Sequence, residues 1–359
     1  MKILHVITSL YIGGAERLMV DLLPRLCEDG NNTIELLLLN GVKTLFKQQL
    51  EQSGIRIHSL SMTNDVYSPS KLLGIRRFLG QHNYDIIHTH NTACQLFVPL
   101  ARTFAPHNGK LVTTEHSTNN RRRTKWWCRP LDRWMYNHYD AVICISGQTR
   151  TALEGYIGKK VNLVTINNGV DVSRFLRPVK DISGHNDFVI TMVAGLRVEK
   201  DHETVLRAMT HLPGNYRLQL VGGGVKEAEL KALTASLGLE ERVAFLGVRQ
   251  DVPDILEQSD VALLSSHWEG FGLVAVEGMA SGRPFIASDV DGLREVVGQA
   301  GALFPRGDDE ALAQTIRQLC EHPDEYREVA LRCQEKAQQY DISVTASKYL
   351  ELYHELCGA

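Results

Sequence analysis

Two doubly wound α/β domains, Rossmann-like and facing each other across a cleft, are the fold this sequence predicts. Short β-rich runs alternate with helical patterns along all 359 residues, and such alternation is the mark of βαβ units with a parallel sheet. The series occurs twice. A composition of 43% apolar and 23% charged residues is ordinary for a globular chain and leaves ample material for two cores.

The first series runs through Ile3–Ile7, Thr33–Leu39, Asp85–His88, Leu111–Thr114 and Ala141–Ile145. The opening apolar stretch is only about six residues long, too short for a secretory core, so it reads as the first strand. Leu18, Met19, Leu22, Leu23 and Leu26 then recur at helical spacing. The second series takes in Phe188–Val193, Leu218–Val221, Val243–Leu246, Val261–Leu264 and Pro284–Ala287. Between the two, residues 175–187 show neither periodicity and contain Pro178 and Gly184, so the linker falls there. The first domain is set at 1–178 and the second at 179–340. Val344, Tyr349, Leu352 and Leu356 give 341–359 the spacing of a last helix.

A formal charge of −3 argues against nucleic acid as a partner. Seven cysteines without a C-x-x-C pair fit reduced thiols in a cytoplasmic protein. No run reaches the roughly eighteen apolar residues a spanning helix needs. Peripheral attachment at the inner face of a membrane stays open.

Residues 267 to 292 carry most of the functional signal. Glu269 follows the run Val261–Leu264, where open α/β sheets bind ligands, and Glu277 stands inside the next helix. Gly270 and Gly272 let the backbone turn, which leaves the amides of that helix start, Gly272 and Leu273 among them, free for a diphosphate. Two carboxylates beside such a helix suit a nucleotide sugar, one accepting the ribose hydroxyls and the other facing the sugar.

The stretch from Glu269 to Glu277, with Ser281-Gly282-Arg283-Pro284 after it, resembles the E-x7-E signature of the retaining family 4 glycosyltransferases, which have the GT-B fold. Gly13-Gly14-Ala15-Glu16, at the end of the first strand, is similar to the family's GGAE element. The resemblance implies phosphate contact from the Gly14 and Ala15 backbone, and a last helix that crosses back to the first domain. Thr114-Glu115-His116-Ser117 matches a position where the family's histidine contacts the transferred sugar. Asn168 lies in an N-G-V-D element, which the resemblance places in the cleft. Lys200 fits a lysine that faces the diphosphate. The arginine normally five residues before it is replaced by Gly195, and Arg197 stands two positions on. Gly223 likewise occupies a place where an acidic residue is common.

These matches imply transfer of a glycosyl group from a nucleoside diphosphate sugar, a UDP-sugar foremost, to a glycan or lipid-linked acceptor with retention at the anomeric carbon. Glu277 is expected to bind the ribose, Glu269 the sugar, and Lys200 with Arg197 the leaving group. No cofactor and no metal are expected: His88 and His90 offer an H-x-H pair without a third ligand in view, and Asp289-Val290-Asp291 reads as a turn. The segment Arg121 to Trp134, with Trp126, Trp127, Arg122, Arg123, Lys125, Arg129 and Arg133, has the composition of a surface helix at an anionic bilayer. A sugar-nucleotide epimerase of the same fold, or a catalytically weak binding subunit, remains as an alternative.

Overall fold

The computed structural model describes every residue except 12, 29, 105–107, 119–121, 159–160 and 359. The chain divides into two compact units, Met1–Gly169 with Ile342–Ala359, and Val170–Asp341.

In the first unit the strands are β1 Lys2–Ile7, β2 Thr33–Leu38, β3 Arg56–Ser59, β4 Ile86–His90, β5 Lys110–Glu115, β6 Ala141–Cys144 and β7 Leu163–Thr165. They form a parallel sheet in the order β3-β2-β1-β4-β5-β6-β7. Side chains alternate between its faces. Ile3 and Ile7 of β1 join Leu18, Met19 and Leu22 of the Gly14–Arg25 helix on one side. Leu4 and Val6 meet Ile75, Val98 and Met135 on the other. The Ile342–Cys357 helix belongs to the former layer through Ile342, Tyr349, Leu352 and Tyr353. Val344, counted on its apolar face from the spacing, is exposed.

The second unit repeats the plan with β8 Phe188–Val193, β9 Tyr216–Val221, β10 Val243–Gly247, β11 Val261–Leu264, β12 Phe285–Ser288 and β13 Ala302–Phe304. The parallel order is β10-β9-β8-β11-β12-β13. In both sheets the winding reverses beside the first strand, between β1 and β4 and between β8 and β11. Such switch points open crevices at the carboxyl ends of the strands, where ligands bind. Residues 8–11 and 91 of the first unit, and 194–201 and 265–272 of the second, occupy those places.

The division falls earlier than residue 178. Val170 donates its amide to the Tyr340 carbonyl at 3.0 Å, and the Arg177 and Pro178 carbonyls accept from Gln334 Nε2 (2.6 Å) and Arg283 (3.1 Å). The segment 175–187 carries no helix or strand, yet these bonds fasten its start to the second unit rather than leaving it as a bridge.

Candidate active site

In the second unit, the turn after β8 and the turn after β11 meet around one ion pair. The Lys200 ammonium donates to Glu269 Oε2, with the two side chains 23% and 17% exposed. Ser266 Oγ (3.5 Å) and the Gly270 amide (3.3 Å) also reach the Glu269 carboxylate. Lys200 is aimed by its neighbours: Ser265 Oγ donates to the carbonyls of Lys200 (3.0 Å) and Asp201 (2.8 Å). Asp201 takes a left-handed conformation, φ 48°, and its carboxylate caps the His202–His211 helix by accepting from the Thr204 amide at 3.4 Å, and also accepts from Thr204 Oγ1 at 2.7 Å. Short polar side chains tolerate that conformation through such local bonds.

Gly272 ends the Glu269 loop at φ 88° and stands at the N-cap of the Leu273–Ala280 helix, which no side chain caps. A side chain at Gly272 would be strained by that φ and would press on Leu293. Gly292 passes against the Glu269 carbonyl with no room for a Cβ. No side chain caps the first amides of the helix, and uncapped amides at a helix start are the groups that receive an anion. Glu277, one turn below Leu273, is half-buried. Beyond this loop, Asp289 and Asp291 are both held by Arg294, at 2.6 and 3.1 Å, and Asp291 opens the Asp291–Val297 helix behind the N-cap Val290 instead of lying in a turn.

Arg197 bends back over the residue that lacks a side chain. A Cβ on Gly195 would lie 3.6 Å from Arg197 Nε, so the guanidinium passes beside the place a side chain at 195 would start from. It is 62% exposed and loosely paired with Glu199 at 3.9 Å. Gly222 and Gly224 follow β9 and run against the Ala194 and Leu196 carbonyls with no space for a Cβ, which is why that strand end is glycine-rich.

In the first unit, Gly14 and Ala15 open the Gly14–Arg25 helix behind the N-cap Gly13, again without a side-chain cap. The Glu16 carboxylate folds back over Gly13 and accepts from Asn91 Nδ2 at 3.3 Å, while the same amide donates to Thr8 Oγ1 at 3.0 Å. Asn91, at φ 67°, thus ties the end of β4 to the end of β1. Burial raises the Glu16 carboxyl above its ordinary range. Asn168 is buried and its Oδ1 has no partner among the described residues.

His116 follows β5, and its Nε2 lies 3.1 Å from His90 Nδ1. His90 Nε2 in turn lies 3.0 Å from His5 Nδ1. The H-x-H pair therefore does have a third ring beside it: His5, His88 and His90 all lie within reach of one another. Both nitrogens of His88 are engaged, by Tyr353 OH at 2.5 Å and Thr114 Oγ1 at 2.8 Å, as are both of His90, while His5 Nε2 has no partner among the described residues. Nothing in the spacing of the sequence joined His5 to His116. Parallel neighbours β1, β4 and β5 place them together.

The basic segment is less cationic at its surface than its composition implies. Arg121, its first member, lies outside the described residues. Arg122 pairs with Asp132 and Arg123 with Glu115 at 3.3 Å, both part-buried, and Arg129 Nε donates to the Tyr156 carbonyl at 2.7 Å. Trp126 and Trp127 stand 84% and 60% exposed.

Comparison with known proteins gives the family. Residues 12–174 match the model of Glycosyltransferase Family 4, and residues 177–340 match that of Glycosyl transferases group 1. The chain belongs to glycosyltransferase family 4. Among the curated relatives of this glycosyltransferase, a putative glycosyltransferase EpsD of Bacillus subtilis is 27% identical over 78% of each chain. A Campylobacter jejuni α-1,4-N-acetyl-D-galactosaminyltransferase, named for an undecaprenol-diphosphate-linked glycan, is 24% identical over the whole of both. The solved structure of Anabaena HepE with UDP and glucose superposes at TM-score 0.86, with 24% identity over 99% of this chain and 100% of that one. At that identity it shows the shared GT-B fold. No described helix of the family 4 chain is long and apolar enough to cross a membrane.

Proposed function

We propose that this glycosyltransferase moves a sugar from a nucleoside diphosphate, UDP foremost, to the hydroxyl of a lipid-linked glycan acceptor, with retention at the anomeric carbon. One observation carries the donor side: the Lys200–Glu269 pair set at the uncapped start of the Leu273–Ala280 helix. Diphosphate oxygens take the free amides of Gly272 and Leu273, and Lys200 turns from Glu269 to the leaving phosphate. Glu269, released from the ammonium, accepts from a sugar hydroxyl. Glu277, below the same amides, accepts from the ribose diol.

Arg197 supplies the second positive charge in place of a side chain at Gly195, its Nε lying 3.6 Å from where a Cβ at 195 would stand. As the bond from anomeric carbon to phosphate oxygen breaks, the acceptor oxygen attacks from the same face and its proton passes to the departing phosphate. The two cations offset the charge that develops there, so the step draws on no metal. In the first unit taken by itself, His116 is assigned to a sugar hydroxyl, and the Gly14 and Ala15 amides and Asn168 to polar ligand contacts.

The acceptor reading is supported by the lipid-linked substrate named for the Campylobacter relative and by an exposed surface of Trp126, Trp127 and Leu131 flanked by Lys125, Arg129 and Arg133. Aromatic rings with cations at their edge suit a headgroup layer. Calorimetric titration with UDP and with UDP-glucose tests the donor assignment. Micromolar binding of UDP that Glu277→Ala abolishes supports it, and no heat with either ligand overturns it.

A further inference from the structure

At the carboxyl ends of β1, β2 and β3, hydrogen bonding runs on past the strands. The Asn40 amide donates to the Thr8 carbonyl and the Gly41 amide to the Ser61 carbonyl, both at 2.8 Å, so the segments after three neighbouring strands are held edge to edge. A buried lysine fastens them. The Lys71 ammonium, on the Pro69–Gln81 helix, donates to the Leu39 carbonyl at 2.8 Å, to Ser61 Oγ, and to Thr63 Oγ1 at 3.4 Å. Ser61 and Thr63 flank the exposed Met62 and lead into Asn64. No group assigned to the donor is among them.

The side-chain amides here are oriented by one obligate donor. The Val42 backbone N–H can only donate, and it meets Asn40 at 3.1 Å, so the atom it meets is the oxygen Oδ1. Asn40 Nδ2 then faces Asn64 at 2.6 Å and needs an acceptor there, which Asn64 Oδ1 supplies. Tyr11 OH donates to the same Oδ1 at 3.1 Å. Turning the Asn64 amide over would set nitrogen against nitrogen. Asn64 therefore presents Nδ2 away from these contacts, and both of its N–H groups are without a partner among the described residues. Asn64 is exposed, and Tyr11, whose hydroxyl it engages, is 44% exposed. What Tyr11 offers a ligand is thus ring carbon, held still at its tip.

A fixed aromatic ring beside a fixed pair of amide donors is the chemistry that receives a sugar. One face of a pyranose is made of C–H groups and packs on an aromatic surface, while hydroxyl oxygens at its edge accept from N–H donors. A phosphate or carboxylate calls instead for a cation, and the cation nearby, Lys71, has its three donors taken up by Leu39, Ser61 and Thr63. We propose that Tyr11 and Asn64 form a saccharide subsite of the first unit, with the sugar stacked on the Tyr11 ring and a hydroxyl oxygen accepting from Asn64 Nδ2. Tyr11 lies in the segment that leads into Gly14, so a sugar held there stands close to the start of the Gly14–Arg25 helix. That this sugar belongs to the glycan acceptor rests on the function proposed above. The subsite itself does not.

Side-chain NMR of the full chain tests this without a nucleotide. Asn64 is followed through its side-chain amide and Tyr11 through its ring signals, while the methyl glycosides of glucose, galactose, mannose, N-acetylglucosamine and N-acetylgalactosamine are added one at a time. At least one of them is expected to shift both residues saturably. Followed at the Asn64 amide, Tyr11→Leu should weaken that glycoside roughly tenfold, the upper end for loss of an aromatic contact. Tyr11→Phe keeps the ring and should weaken it less. Followed at the Tyr11 ring, Asn64→Ala should weaken it as well. The proposal is overturned if no glycoside moves either residue, or if the one that does binds Tyr11→Leu as tightly as the parent. A shift at Asn64 given by UDP and by no glycoside overturns it too, since the place would then belong to the nucleotide. Should UDP bind nowhere, the donor reading falls while the glycoside titrations stand, so the two proposals fail separately.

Discussion

Replacing Lys200 by alanine separates its structural role from its chemical one. The pair with Glu269 is about one-fifth exposed on each side, which places it between exposed ion pairs, worth about 0.2–1 kcal/mol, and buried ones, where losing a partner costs about 3–5 kcal/mol. Ser266 and the Gly270 amide still reach the stranded carboxylate. A loss of about 1–2 kcal/mol of stability follows, or a fall of about 2–8 °C in the melting point of a unit this size. The effect on the reaction is larger. Removing a charge that stabilises a departing diphosphate costs about 2–4 kcal/mol in the transition state, a fall in kcat/KM of roughly 30-fold to 1000-fold. Release of UDP from UDP-glucose with an acceptor extract measures the second quantity, and thermal melting the first. A melted-down variant with kcat/KM within about threefold of the parent would show that the pair only holds the loop. The reverse substitution sharpens the test: Glu269→Gln leaves Lys200 without its counter-charge, so UDP alone should bind more tightly while turnover falls.

Other outcomes follow from the same geometry. Glu277→Ala should weaken UDP and UDP-glucose alike, whereas Glu269→Ala should weaken chiefly the conjugate; equal losses in calorimetric titration would refute the split. Arg197→Ala should lower kcat with KM for the donor little changed if its guanidinium serves the leaving group, and unaltered kcat would leave the place at Gly195 empty. Gly292→Ala, which forces the Glu269 carbonyl aside, should reduce kcat/KM more than it reduces melting temperature. His5 and His116 sit at about 3 and about 4 when folded against about 6.5 unfolded, so the unfolded chain takes up more protons in acid. Stability is then full above pH 6.5 and should fall as pH drops toward 4; a melting point flat across that range contradicts the burial of these rings. Sedimentation with anionic vesicles should weaken when Trp126 and Trp127 are changed to Ser, and binding that depends on neither indole would point to a soluble acceptor.

The sheets were legible because parallel strands buried on both faces are short apolar runs, and Phe188–Val193 and Val261–Leu264 coincide with β8 and β11 to the residue. β3, β7 and β13 escaped notice for the opposite reason. They lie at sheet edges, and Arg56-Ile57-His58-Ser59 or Leu163-Val164-Thr165 carries too little apolar surface to stand out. Glu269, Glu277 and Lys200 could be picked out since their glycines and spacing are local features. The partnership of Lys200 with Glu269, sixty-nine residues apart, was not, and neither was that of His5 with His90 and His116. Such contacts are made by strand order, which no local pattern encodes. The unusual backbone at Asn91 and Asp201 had one faint signal, since Asn and Asp are the side chains that best tolerate a positive φ.

The place of the Ile342–Cys357 helix has a consequence for how the protein is made. Tyr349 and Tyr353 close the layer against β1 and complete the bonds of Thr114 and His88, yet the ribosome adds them after every residue of the second unit. During synthesis the earlier half must wait, with a row of imidazoles and a strip of leucines uncovered, while the later half is spelled out and can already fold. Maturation of this chain runs out of the order in which it is written, and a helix that emerges only after the whole of 170–341 is the one that finishes the unit begun before it.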